Sequence, residues 1–187
     1  MNIDRRDITG LILCGGESSR FGSAKSHFVY RGSTLVQRAV DVLSSHVGTL
    51  CLGIGDISRD DWPPVMLIRD QMPHLGPIGG IQAGMSAMQT EWLVVLAVDL
   101  PFMTSEALRQ LIDAAQPGDI AVAAVDESGQ LHPLCALYHQ SIRESIDTAI
   151  GERRFGLKGL LSSLKNVRYV TLPSATLRNV NRPEDLL

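Results

Sequence analysis

The chain has 187 residues, 44% of them hydrophobic and 20% charged, which suits one domain with a real core spanning residues 1–187. Its formal net charge of −3 excludes a nucleic-acid binder that works through a broad basic field, though not a small anion held by a few local groups. Residues 1–9 are mostly polar and charged rather than signal-peptide-like, and the most apolar run, 92–98, is too short to cross a bilayer, so no membrane partner is expected. Cys14, Cys51 and Cys135 are odd in number and widely spaced, which argues against a disulfide framework and for a reducing cytoplasm.

Short apolar runs at 10–13, 50–54, 65–68, 92–98, 120–125 and 134–138 read as buried strands. Between several of them the spacing turns helical. Leu35, Val36, Ala39, Val40 and Leu43 fall on one face of a helix over 34–43, with Ser33 as N-cap. Ala107, Leu108, Leu111 and Ile112 repeat the pattern over 105–115, capped by Thr104 or Ser105. Continuous apolar strands alternating with amphipathic helices predict an α/β fold whose parallel sheet is covered on both faces. Asp126-Glu127-Ser128-Gly129 is a turn signal between two strands and predicts an antiparallel pair there. Residues 153–158, with Gly151, Gly156 and Gly159 around them, read as an irregular, mobile loop.

The first strand runs into Cys14-Gly15-Gly16-Glu17-Ser18-Ser19-Arg20-Phe21-Gly22-Ser23-Ala24-Lys25. Glycines let backbone N–H groups approach phosphate oxygens closely, and Arg20 and Lys25 supply positive charge. In an open α/β sheet, ligands bind beyond the carboxyl ends of the strands, where this loop lies. It is not a Walker loop, because Gly22 is followed by Ser23, and no Gly-x-Gly-x-x-Gly pattern exists. Asp99, closing an apolar strand, is either a carboxylate for a hard cation bridging to phosphate or the N-cap of a helix containing Pro101. Asp70 either ends its strand or contacts a ligand. Asn181-Arg182-Pro183-Glu184 has the form of a helix cap with proline near the first turn, so Asn181 is either a cap or a ligand group.

The segment from Leu13 to Lys25 resembles the Leu-x-Gly-Gly-x-x-x-Arg-Met-Gly-x-x-Lys signature of MobA-like nucleotidyltransferases. Asp70 with Gly76-Pro77-Ile78-Gly79-Gly80, Asp99-Leu100-Pro101-Phe102, and Asn179-Val180-Asn181-Arg182-Pro183-Glu184-Asp185 are similar to three further motifs of that family, in the same order. The resemblance covers essentially the whole chain. It implies a three-layer α/β/α fold with a mostly parallel, Rossmann-like sheet of the nucleotide-diphospho-sugar transferase type. It also implies a nucleoside triphosphate, Mg²⁺ and pyrophosphate release. By resemblance, Leu13, Cys14, Gly15, Gly16, Gly22, Lys25, Asp70 and Asp99 bind the nucleotide, with Asp70 on the guanine base. Arg20, Lys25 and Asp99 are the catalytic set, Asp99 the metal ligand, and Asn179 and Asn181 lie beside the acceptor or complete the metal site. The guanylyl branch joins GMP from GTP to molybdopterin, the molybdenum cofactor's pterin, and its implied partners are molybdoenzymes or other cofactor-biosynthesis proteins.

Three departures bear on base recognition more than on phosphate chemistry. Phe21 replaces the usual Met, Ala24 stands where an Asp is common, and Gly53 falls where guanylyl members can carry a base-contacting Asn. Gly15-Gly16 favours the guanylyl branch, since cytidylyl relatives usually show Ala-Gly. Rival readings are the same fold using CTP or a sugar or alditol phosphate acceptor, and a nucleotide-binding accessory protein without turnover. His132, Cys135 and His139 have a metal-like spacing, but on a strand His132 and Cys135 point to opposite faces, and Pro133 opposes a helix. The lack of a Gly-x-Ser-x-Gly elbow argues against a hydrolase triad.

Overall fold

A strand buried on both faces needs apolar residues at every position, and β1 (Ile8–Leu13) and β6 (Trp92–Ala97) are buried along their whole lengths. They pair in parallel at the centre of a seven-stranded sheet in a computed structural model that describes residues 3–15, 25–55, 57, 59–70, 72 and 74–186. The remaining strands of that sheet are β4 (Thr49–Gly53), β5 (Met66–Ile68), β7 (Ala121–Val125), β8 (Leu131–His139) and β9 (Val167–Thr171). A separate hairpin is formed by β2 (Val29–Tyr30) and β3 (Ser33–Thr34) around Arg31 and Gly32, both at positive φ, as a two-residue type I′ turn requires.

The order across the large sheet is β5-β4-β1-β6-β8-β7-β9. Only β8 runs against its neighbours; the β4–β5, β1–β4, β1–β6 and β7–β9 pairs are parallel. The expected turn at 126–129 does join an antiparallel pair: the Asp126 carboxylate accepts the Ser128 hydroxyl (2.6 Å) and the Ser128 and Gln130 N–H groups (both 2.9 Å). These donors, the Ser128 hydroxyl foremost, hold Asp126 at about 2, below the ordinary carboxylate value.

Alternate residues of β1 serve two cores. Ile8 and Ile12 join α1 (Leu35–Leu43) and α3 (Ser105–Asp113) on one face; Leu11 and Leu13 join α2 (Pro77–Ala87), α4 (Arg143–Gly151) and α5 (Leu157–Ser163) on the other. This is the expected three-layer architecture. The α1 cap shifts by one residue from Ser33 to Thr34, the last residue of β3, whose hydroxyl accepts from the Gln37 N–H. Thr104 caps α3 in the same way.

Three helices and an edge strand go beyond the sequence expectations. Three of the seven buried residues of α2 are glycines, so its sequence carries only a weak amphipathic stripe. A Cβ on Gly80 or Gly84 would lie 2.7 Å from Leu13 Cδ2 or Leu11 Cδ2, so the glycines let the helix backbone sit directly on β1. Gly84→Val is therefore expected to destabilise the protein by about 1–3 kcal/mol through overpacking, read as a lowered urea midpoint with an unchanged slope. The segment expected as a loop over 153–158 is irregular only as far as Gly156, which precedes α5; Leu157, Leu160 and Leu161 are buried, and that burial makes the following turn helical. Among the described residues, no helix is long and apolar enough to cross a membrane.

Candidate active site

Because β1, β4, β5 and β6 are parallel, their carboxyl ends share one edge of the sheet, and the motif residues following them gather there. The ladder continues past the strands: the Cys14 N–H donates to Gly53 O (2.8 Å), Val98 to Leu13 O (3.1 Å) and Ile54 to Ile68 O (2.9 Å). Gly15 lies beside the next loop, where a Cβ would be in van der Waals contact with Gly55, 3.5 Å from its Cα and N. Leu13 and Cys14 turn their side chains into opposite cores, leaving only their main chain for a ligand. Burial pushes the Cys14 thiol up to about 12, which keeps it neutral and unfit as a nucleophile. A Cβ at Gly53 would come within 3.0 Å of Leu13 Cδ2. Gly16, Arg20 and Gly22 lie outside the described residues.

Lys25 opens a 3₁₀ turn (Lys25–His27) anchored by the fully buried Ser26. The neighbouring His27 is set against Trp62, with ring centroids 4.6 Å apart, and its Nε2 lies 3.3 Å from Asp61 O. Sequence reasoning missed this tie between the lysine turn and the β4–β5 connection, since nothing in the spacing of His27 and Trp62 pairs them. The Lys25 ammonium reaches two partners remote in sequence, Asp99 Oδ2 at 3.4 Å and Asn181 Oδ1 at 3.3 Å. The Lys25 and Asp99 side chains are 14% and 21% exposed, so their attraction is less screened than that of a surface pair.

Asp99 does not cap a helix: α3 begins at Ser105 under Thr104. Its Oδ1 is buried and has no hydrogen-bond partner among the described residues. A buried carboxylate oxygen left unsatisfied is costly, and a hard cation would satisfy it. Among the described residues no group of three or more His, Cys, Asp or Glu could hold a metal. One carboxylate with an amide oxygen nearby fits a cation that takes its remaining ligands from water and phosphate, as Mg²⁺ does.

Asn181 is not a helix cap. The cap runs the other way, with Asp185 Oδ2 accepting the N–H groups of Asn181 (2.7 Å) and Arg182 (2.9 Å) over the 3₁₀ turn Pro183–Leu186. Those two donors, Asn181 first, hold the Asp185 carboxyl below its ordinary value. Val180 ties the segment down: its N–H donates to Asp99 O (2.9 Å), and its side chain is buried with Leu186 against Phe28, Tyr30 and Phe102. Asn179 stands exposed just before it and is not brought to the Lys25 ammonium.

Asp70 is half-buried beyond β5, and Cβ atoms on Gly79 and Gly80 would lie 3.6 Å from its carboxylate oxygens. It thus rests on the first turn of α2, where the helix dipole favours negative charge. His132, Cys135 and His139 are dispersed: His132 faces Asp126 at 3.5 Å, Cys135 is in the core, and His139 stacks edge-on with Trp92.

A model of the MobA-like NTP transferase domain matches residues 10–167. A protein of Chloroflexus aggregans named "Probable molybdenum cofactor guanylyltransferase" is 31% identical over 194 residues, covering 96% of this chain and 91% of that protein. A protein of the same name from Bacillus cereus is 30% identical over 168 residues, covering 87% and 82%. The crystal structure of molybdopterin-guanine dinucleotide biosynthesis protein A from Archaeoglobus fulgidus shares the fold, with a TM-score of 0.74 at 24% identity over 95% of this chain and 94% of that one. The chain belongs to the MobA-like NTP transferase family and is a nucleotidyltransferase.

Proposed function

We propose that the chain, acting as one domain, transfers GMP from GTP to the terminal phosphate of molybdopterin and releases pyrophosphate. The observation that carries this reading is the meeting of Lys25, Asp99 and Asn181 at the carboxyl edge of the sheet, with a buried Asp99 oxygen that has no partner among the described residues. The names of the curated relatives support the guanylyl branch and the pterin acceptor.

A phosphate oxygen of the acceptor forms a bond to the α-phosphorus of GTP as the bond from that phosphorus to the α–β bridging oxygen breaks. The nucleophile is already ionised, so neither a general base nor a protein nucleophile is needed, and the protein's contribution is positioning and electrostatics. Asp99 would hold Mg²⁺, with Asn181 completing the site, and the cation would supply charge neutralisation on the phosphates. The Lys25 ammonium, with Arg20, offsets charge on the leaving pyrophosphate. The main chain from Gly15 through Gly22 cradles the phosphates, and Asp70 accepts from the guanine N1–H and exocyclic amine.

Mg-GTP is therefore expected to bind more tightly than Mg-CTP or Mg-UTP in calorimetry, and to raise the melting temperature most. A preference for CTP would place the chain in the cytidylyl branch. Equal affinities would leave Asp70 as a residue that only stabilises α2.

A further inference from the structure

The C-terminal segment reaches the site as a strap, and its anchors can be traced one by one. The Leu172 N–H donates to Val125 O (2.9 Å), Glu127 Oε2 accepts the Ser174 hydroxyl (2.7 Å), and Leu177 is buried in the core beneath α1 and α3. Val180 then fastens to Asp99 through its N–H. Past that point Asn181 is exposed, outside the apolar cluster that Val180 and Leu186 form. The Asn181 and Arg182 N–H groups donate to Asp185 Oδ2, at 2.7 and 2.9 Å, and define the turn from which the Asn181 side-chain Oδ1 lies 3.3 Å from the Lys25 ammonium.

We propose that Asp185 is a positioning residue for nucleotidyl transfer: it touches no substrate and acts by clamping the Asn181 main chain so that the Asn181 amide faces Lys25 and Asp99. The proposal rests on the reading that those three residues form the transfer site. An asparagine on an exposed turn samples several backbone and side-chain states, and ordering it in advance removes that entropy from the barrier. A charged acceptor taking two backbone N–H groups is a strong clamp for its size.

The test is a double-mutant cycle on Asn181→Ala and Asp185→Ala in the full chain, read by pyrophosphate release and by amide exchange over residues 178–186. Asp185→Ala is expected to lower kcat by roughly tenfold, the order of a lost charge-assisted contact, with KM for the triphosphate near wild type. Exchange of the Asn181 and Arg182 amides should accelerate. Asp185→Asn, whose amide oxygen can still accept, should recover part of both effects. In the Asn181→Ala background, Asp185→Ala should cost less than about twofold, because the partner it acts through is gone. A full tenfold loss in that background, or wild-type turnover with accelerated exchange in Asp185→Ala, overturns the proposal. Unchanged exchange overturns the clamp itself. The cycle is run on whichever of GTP, CTP and UTP the wild type turns over fastest. A preference other than GTP therefore overturns the functional reading alone, and the exchange measurement needs no turnover.

Discussion

Asp99→Asn is expected to lower nucleotidyl transfer by roughly 10³-fold or more while the fold survives. The substitution keeps the size of the side chain but replaces the anionic oxygens that a hard cation prefers. Folding should suffer little. The α3 helix is capped by Thr104 rather than Asp99, and the variant exchanges an unpartnered, buried carboxylate oxygen for a neutral group. The attraction to Lys25 at 3.4 Å is weakened, so the net stability change should stay within about 1 kcal/mol, a few degrees in melting temperature for a chain of this size. The measurement is pyrophosphate release across a Mg²⁺ titration, with thermal melting on the same preparation. An active variant with an unchanged Mg²⁺ requirement would remove Asp99 from the metal site.

Lys25→Ala is expected to lower turnover by roughly 10²–10³-fold, the usual effect of losing one preorganised stabiliser of transition-state charge. Its signature differs from that of the aspartate variant. Removing the ammonium leaves the Asp99 carboxylate for the cation, so the Mg²⁺ requirement should persist while kcat falls. Far-UV circular dichroism should be unchanged, since the turn carrying Lys25 is held by the buried Ser26 and by the His27 contacts with Trp62 and Asp61. Wild-type kinetics in this variant would exclude Lys25 from the mechanism. Asn181→Ala should fall between wild type and Lys25→Ala, because it removes one partner of the ammonium and keeps Asp99.

The sequence by itself determined the elements whose environment is written locally. Continuous apolar runs mark β1 and β6 because strands covered on both faces have no solvent side to record. The amphipathic stripes of α1 and α3 mark helices with one face on the core, and Thr104 marks an end through its own hydroxyl. The motifs around Lys25, Asp70 and Asp99 pointed to the carboxyl edge, since a parallel sheet gathers the ends of its strands there.

Only the tertiary structure decided the rest, and the physical reason in each case is a contact between distant segments. The helix α2 buries Ile78, Ile81 and Met85 together with three glycines, and its glycine spacing makes sense only beside Leu11, Leu13 and Leu75. The edge strand β9 is half-exposed and weakly patterned, and its partner β7 defines it as a strand. Asn181 has the local form of a cap, yet Asp185 takes the main-chain donors and frees the Asn181 amide for a lysine 156 positions away. No local rule reports a pairing at that separation, because the segment is held by Val180 and Leu186 packed against Phe28, Tyr30 and Phe102, residues distant in the chain.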